Sequence, residues 1–358
     1  MSELPIVDGH LDLAENVTLF GFDLTASVSE RRKQENRTTR QATVSLPELE
    51  RGGIAVVCAT VTAGFLAEDV VGVSEDFLPR SAIYRTTEEA EAQALKQIAL
   101  YETWQHEGRV RLLKSAADLD DHLELWREDR KPGLVLLMEG ADPIVHVDDL
   151  SKWWALGLRM IGVTYGDTTY GKGVGGGSVE IRWGGLTDAG FALLDRMAEM
   201  GFIWDVSHLA EEGVWQGLDR GFPRVCASHA NARALLPTDR HLSDDVIRAI
   251  SERAGVIGLV LYNGFLDERW RNDKSVVVSL GDQLRRHAEH IASVGGWPCV
   301  GIGSDLDGGL GLEESPIEIE TEADLVKVGD VVPPDAREGV LGGNWLAFLR
   351  RSLPTTSE

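Results

Sequence analysis

Basic charge is scarce in this chain: 35 Lys and Arg stand against 58 Asp and Glu, a formal net charge of −23. Nucleic-acid affinity rests on neutralising phosphates, so that balance argues against a nucleic-acid partner. An anionic membrane surface is disfavoured for the same reason. Cysteine is also rare. Cys58, Cys226 and Cys299 are isolated and odd in number. The first two lie in apolar runs, which suits buried free thiols better than a disulfide framework. No stretch approaches the roughly 18 uninterrupted apolar residues of a membrane span. The opening Met-Ser-Glu-Leu-Pro has neither a basic n-region nor an apolar h-region. A reduced, cytoplasmic protein is therefore expected. What is present is ordinary for a globular chain: 43% hydrophobic and 26% charged residues over 358 positions.

Short apolar runs recur along the chain, separated by helical stretches. Strands are expected at Pro5–Val7, Ile54–Thr62, Gly133–Met138, Met160–Thr164, Phe202–Val206, Arg224–Ala227, Val256–Leu261 and Val300–Gly303. Helices are expected from Thr86 to His106, Ser115 to Arg127, Leu150 to Leu156 and Gln283 to Val294. Two more open at Thr187 and at Ser243-Asp244-Asp245, and others cover 321–327 and 333–352. Ser45-Leu46-Pro47-Glu48 reads as a capping box opening a short helix. Residues 23–44, with Arg31, Arg32, Lys33, Arg37 and Arg40, read as a solvated charge run or a ligand-covering loop. The loop from Tyr165 to Gly185 has glycines at 166, 171, 173, 175, 176, 177 and 184. It lacks both GxGxxG and the P-loop Lys-Ser/Thr, so a flexible mouth is expected rather than a phosphate cradle.

Strands alternating with helices imply parallel pairing with right-handed crossovers. Eight of them imply an α/β fold of the (β/α)8 TIM-barrel type, with an open doubly wound sheet as the alternative. One domain over 1–358 with a C-terminal helical extension accommodates the length.

In such a barrel, catalytic groups sit at the C-terminal ends of the strands. Five strand ends here carry metal-ligand types: His10 and Asp12, Glu139, His208, His229 and Asp305. Each alone has a bland explanation, as a cap or a satisfied core histidine. Their recurrence at equivalent positions is harder to dismiss. Three His and two or three carboxylates suit zinc or a similar divalent ion. Six groups exceed what one catalytic zinc uses, and two ions sharing a carboxylate and a water fit the count better.

Asp8-Gly9-His10-Leu11-Asp12, Met138-Glu139-Gly140, Asp205-Val206-Ser207-His208, Ser228-His229 and Gly303-Ser304-Asp305-Leu306-Asp307-Gly308 together resemble the membrane (renal) dipeptidase family of the amidohydrolase superfamily. Leu341-Gly342-Gly343-Asn344-Trp345 resembles its C-terminal Gly-x-Asn helix start. The resemblance implies a barrel holding two zinc ions that hydrolyses dipeptides with a free C-terminal carboxylate. It implies His10 and Asp12 on one metal, His208 and His229 on the other, and Glu139 bridging them. Asp305 would move the proton from the water to the leaving amine, and Arg240 would grip the substrate's carboxylate.

Two departures stand out. Many members carry a His after the fourth strand, where this chain has Tyr165, a candidate hydrogen-bond donor to the substrate. After Glu139-Gly140, the usual Gly-His-like continuation is replaced by Ala141-Asp142. The expectation is a zinc dipeptidase acting on a small dipeptide-like substrate, with a homodimer allowed. A related amidohydrolase acting on N-acyl amino acids or a lactam is the second expectation. A non-catalytic metal-binding barrel is the third, and a retained Asp305 argues against it.

Overall fold

The computed structural model describes residues 4–68, 70, 78–175 and 180–356. Gly176 and Gly177 of the glycine-rich loop lie outside the described residues. Eight strands form the core: β1 (Ile6–Leu11), β2 (Ile54–Thr62), β3 (Gly133–Glu139), β4 (Leu158–Gly162), β5 (Ile203–Asp205), β6 (Val225–Cys226), β7 (Ile257–Leu259) and β8 (Val300–Ile302). They neighbour one another in the order β7-β8-β1-β2-β3-β4-β5-β6, all in parallel. A parallel bridge from Ala227, just past β6, to Ile257 of β7 closes the ring. The N–H of Ala227 donates to Val256 O at 2.9 Å and that of Gly258 to Ala227 O at 2.9 Å. The expected (β/α)8 barrel is therefore the fold, and the open sheet is excluded.

The surrounding helices are α1 (Thr87–His106), α2 (Ala116–Asp129), α3 (Asp188–Met200), α4 (Glu211–Asp219), α5 (Asp244–Glu252), α6 (Arg285–Gly295) and α7 (Asn344–Ser352). Four begin at a hydroxyl that satisfies an orphan N–H three residues on: Thr86 with Glu89, Ser115 with Asp118, Thr187 with Gly190, and Ser243 with Val246. The helix over 211–219 gives no strong sequence signal and was not expected.

The last helix seals the barrel. Trp345 is fully buried and clusters with Val7, Cys58, Val135, Met160, Ile203 and Cys226, residues of six different strands. Glycines make room for it: a Cβ at Gly9 would lie 2.4 Å from the indole, and one at Gly301 2.5 Å. Its Nε1–H donates to Ile302 O at 2.8 Å, while Asn344 Nδ2 bonds Trp297 O and Val300 O. The Gly-x-Asn start thus ties α7 to the strand β8 that it supports.

Three local expectations need correction. Residues 23–44 are not all loop: Ser27 caps a helix at Val28–Glu35 with a full capping box. Nor is its charge all solvated, because Arg31 is buried between Glu35 and Asp307. Ser45 does cap Leu46–Gly52, but Glu48 turns to Arg51 instead of completing a box. The helix expected over 333–352 starts later, at 337, and runs without a break to Ser352 through a π-helical segment at Gly339–Gly343 that leads into α7. Gly342 packs where a Cβ would lie 2.2 Å from Pro5 O, so close backbone approach takes precedence over helix propensity there.

Candidate metal centre

The expected site residues sit at or just past the C-terminal ends of the strands. Glu139 is the last residue of β3, His10 is next to last in β1 with Asp12 just after it, and His208, His229 and Asp305 each lie three residues past β5, β6 and β8. Beyond the ladder, the chain is free to turn its side chains toward the barrel axis, and all six expected groups meet there. Glu139 Oε1 lies 3.4 Å from His10 Nε2, 3.2 Å from His208 Nε2 and 3.7 Å from His229 Nε2. Asp12 Oδ1 is 3.8 Å from His10 Nε2, and Asp305 closes a second cluster with these two residues.

The far nitrogen of each imidazole is tied. His208 Nδ1 bonds the Val174 carbonyl oxygen at 2.8 Å, which requires a proton on Nδ1. Ser228 Oγ lies 3.1 Å from His10 Nδ1 and 2.8 Å from His229 Nδ1, and donates its own hydrogen to Asp205 Oδ2 at 2.5 Å. A hydroxyl has one hydrogen and two lone pairs, so both imidazoles must donate to it. All three rings therefore carry the proton on Nδ1 and turn a bare Nε2 lone pair inward. Such outer-shell fixing of the tautomer is how metal-binding histidines are held. Asp205 is itself held by Ser207 Oγ at 2.7 Å and by the Ser228 N–H at 2.8 Å. Asp8 plays the equivalent part under β1, accepting from the N–H groups of Ser304 at 2.8 Å and His10 at 3.1 Å.

Lone pairs facing a carboxylate oxygen repel it unless a cation stands between them. His208 Nε2 and His229 Nε2 are 2.9 Å apart, and His10 Nε2 is buried with no hydrogen-bond partner. Burial, with Arg240 nearby, pushes the His10 imidazole down to about 3 and holds His208 and His229 well below the usual range. They stay neutral, the form that binds metal. The acids shift the other way. Burial raises Asp12 to about 6, and burial with mutual repulsion holds Glu139 and Asp305 well above their ordinary range. Neutral imidazoles among crowded acids are a donor set that fits divalent cations.

The loop after β8 is built with strain. Asp305 and Asp307 both adopt left-handed φ of 60°, uncommon for residues with a Cβ. Asp307 anchors that shape across 264 residues of chain, accepting from Thr43 Oγ1 at 2.6 Å, Thr43 N at 2.7 Å and Arg31 Nη1 at 2.8 Å. Asn16 Nδ2 ties the loop after β1 to the loop after β8, donating to Asp12 O at 2.8 Å and Asp307 O at 3.1 Å. Gly308 must be bare, since a Cβ would lie 1.9 Å from Asp305 Oδ1.

Above the acids opens a cavity of about 480 Å³, walled by Phe20, Tyr165, Tyr262, Phe265 and Leu310. Tyr165 stacks edge-on with Phe65 at 5.7 Å and lies 4.9 Å from the His208 ring. Burial and the neighbouring acids keep its phenol protonated, hence a donor. Arg240 stands behind the imidazoles, with Nη2 3.1 Å from His208 Nε2 and 2.9 Å from His229 O. It lines a small adjacent pocket with Asp239 and His241, not the large cavity. Asp142 is a structural acid here, accepting from Tyr84 Oη at 2.7 Å and Thr169 N at 2.9 Å. Several cavity residues, among them Glu15, Tyr262 and Glu314, were not singled out from the sequence, and Arg40 was named only within the segment expected as a solvated charge run or a ligand-covering loop. Glu15 lies on the helix Leu13–Thr18 directly after β1, one turn beyond Asp12, while Arg40 follows no strand.

A family model described as membrane dipeptidase (peptidase family M19) matches residues 1–328. An uncharacterized protein from the pqqA 5′ region of Klebsiella pneumoniae is 34% identical over 206 residues, covering 56% of this chain and 73% of that one. An uncharacterized dipeptidase of Schizosaccharomyces pombe is 27% identical over 251 residues, covering 67% of this chain and 58% of its own length. The chain thus spans less than two thirds of the yeast relative. Among solved structures, a metallo peptidase from Rhodobacter sphaeroides, bound to a phosphinate mimic of the dipeptide L-Ala-D-Ala, superposes with a TM-score of 0.76 at 24% identity. That match covers 98% of this chain and 100% of the other and speaks for the fold. With a family model matching from before His10 to beyond Asp305, over residues 1–328, the chain belongs to the membrane dipeptidase family, peptidase family M19.

Proposed function

We propose that this chain is a metal-dependent dipeptidase holding two divalent ions, with zinc the favoured identity. It would hydrolyse dipeptides that bear a free C-terminal carboxylate. The observation that carries this reading is the convergence of three bare Nε2 atoms on Glu139 Oε1 within 3.2–3.7 Å. His10 and Asp12 would hold one ion, His208 and His229 the other, and Glu139 both. Bound ions of this kind polarise a carbonyl and make water a nucleophile near neutral pH. Asp305 takes the proton from the attacking water and returns it to the leaving amine, a role suited to its raised affinity for a proton. Tyr165 donates a hydrogen bond to the oxygen that gains charge. Arg240, whose Nη2 contacts His208 Nε2 here, would turn its fork to the substrate's α-carboxylate if that nitrogen held an ion instead. The chain acts as one domain, and a reduced cytoplasm suits its three buried free thiols.

The test is a thermodynamic cycle on Arg240. Wild type and Arg240→Ala are assayed on a free dipeptide and on the same dipeptide blocked as a C-terminal amide. Arg240→Ala should cost about 2–4 kcal/mol in kcat/KM on the free acid, the scale of losing a buried charged partner. Blocking should cost wild type a similar amount and the variant almost nothing more. Losses that simply add would take Arg240 off the carboxylate, and turnover confined to N-acyl amino acids would shift the substrate class.

A further inference from the structure

The cavity above the metal centre holds a second arginine that the dipeptidase reading does not use. Arg40 enters its wall together with Glu314, Tyr165 and Tyr262. It comes from the segment between the first two strands, far from every ligand loop in sequence. Three features hold it there. Its backbone is left-handed, with φ of 54°, a conformation disfavoured for a residue with a long side chain. Its N–H is bonded by the Glu313 carboxylate, which also accepts from Gln41 N at 3.3 Å. The Leu312 N–H returns a bond to Gln41 O at 2.9 Å. Gly311 permits this close contact, because a Cβ there would lie 2.1 Å from the Arg40 Cα.

The guanidinium is half-buried, and burial lowers its proton affinity while Glu314 and the phenols of Tyr165 and Tyr262 oppose that loss. Glu314 partly serves its own turn, with Oε2 accepting the Gly311 N–H at 3.2 Å. A guanidinium is a permanent cation with a fork of N–H donors matched to a carboxylate, so an acid entering the cavity meets a complementary charge in its wall. Much of the remaining wall is apolar, including Phe20, Leu78, Phe265 and Leu310. A cation among such surfaces discriminates strongly between an acid and its neutral isostere.

We propose that Arg40 is a specificity-determining residue that binds a second carboxylate of the substrate, carried on a side chain, so that the preferred substrates are dipeptides containing an aspartyl or glutamyl residue. This rests on the dipeptidase reading and names its substrate class. The α-carboxylate goes to Arg240 and the side-chain carboxylate to Arg40, so the two arginines read two different anions. The net charge of −23 does not bar a dianionic substrate, because charges beyond a Debye length of about 8 Å are screened at physiological salt.

The metal-loaded enzyme would be assayed on Ala-Asp, Ala-Glu, Asp-Ala and Glu-Ala, each beside its Asn or Gln counterpart and in both C-terminal stereochemistries. The arms separate an acid in the first residue from one in the second. Wild type should favour the acid over its amide by at least about 10-fold in kcat/KM at one of the two positions. Arg40→Gln should reduce that acid-to-amide ratio by about 10- to 100-fold, the worth of a charge-assisted hydrogen-bonded pair. Arg40→Lys should keep part of the preference. Equal turnover of acids and amides by wild type, or an equal loss on both in Arg40→Gln, would overturn the assignment and leave Arg40 as a latch on Glu314. Turnover of no dipeptide at all would overturn the dipeptidase reading along with it.

Discussion

Ser228 is the point where both proposed metal sites share one support, which makes Ser228→Ala an informative perturbation. Its Oγ accepts from His10 Nδ1 at 3.1 Å and His229 Nδ1 at 2.8 Å, and donates to Asp205 at 2.5 Å. Alanine removes three hydrogen bonds among fully buried groups and leaves two N–H donors unpaired. Each imidazole can then rotate or shift its proton to Nε2, and a protonated Nε2 cannot bind metal. Loss of such an outer-shell partner lowers metal affinity by about 10–100-fold. Because His10 and His229 are assigned to different ions, both dissociation constants should rise, each by about 1.4–2.7 kcal/mol in free energy. Competition against a chelator of known affinity reads both steps. Ser207→Ala is the control. Ser207 Oγ contacts Asp205 at 2.7 Å, Ser228 Oγ at 3.2 Å and the backbone N–H of His229 at 3.1 Å, but no imidazole nitrogen, so its effect should be several-fold smaller. Unchanged metal affinity in Ser228→Ala, or equal losses in the two variants, would refute the tautomer argument.

Other outcomes follow from the same geometry. Asp305→Asn should lower kcat by roughly 10²–10⁴-fold with much less change in metal content, as read by steady-state kinetics and metal analysis. Loss of metal without a separate catalytic defect would make Asp305 chiefly a ligand. Away from the centre, burial pushes His287 down to about 4, with Arg286 and His290 adding to the shift. A histidine lowered in the folded state is neutral there but charged when unfolded below pH 6.5, so stability falls as pH drops from about 6.5 to 4. The loss should reach about 3 kcal/mol, and His287→Gln should flatten that part of a urea-unfolding pH series. An unchanged pH dependence in His287→Gln would remove His287 as the cause.

The sequence disclosed residues whose role depends on where a strand ends. His10, Asp12, Glu139, His208, His229 and Asp305 could be placed because strand termini of a barrel converge, whatever lies between them. Arg31 was misread because a run of cations looks solvated. Its burial depends on Asp307, 276 residues away, which no local pattern reveals. Ser228 and Asp205 sat inside quoted motifs, yet their hydrogen-bonding role appears only when three loops meet. Arg40 reaches the cavity from a segment with no strand register, and Glu15 from the helix just past β1, where no local pattern marks it. The departure at Asp142 also became intelligible in three dimensions, as a buried acceptor for Tyr84 and Thr169.

The central claim is that Glu139 serves two ions at once, and metal stoichiometry tests it most directly. Purified protein, stripped and reloaded with zinc, should hold close to two ions per chain by elemental analysis. Glu139→Gln, which cannot bridge as an anion, should weaken both sites together and lose activity. A single tightly held ion in wild type, or full occupancy and activity in Glu139→Gln, would contradict the account.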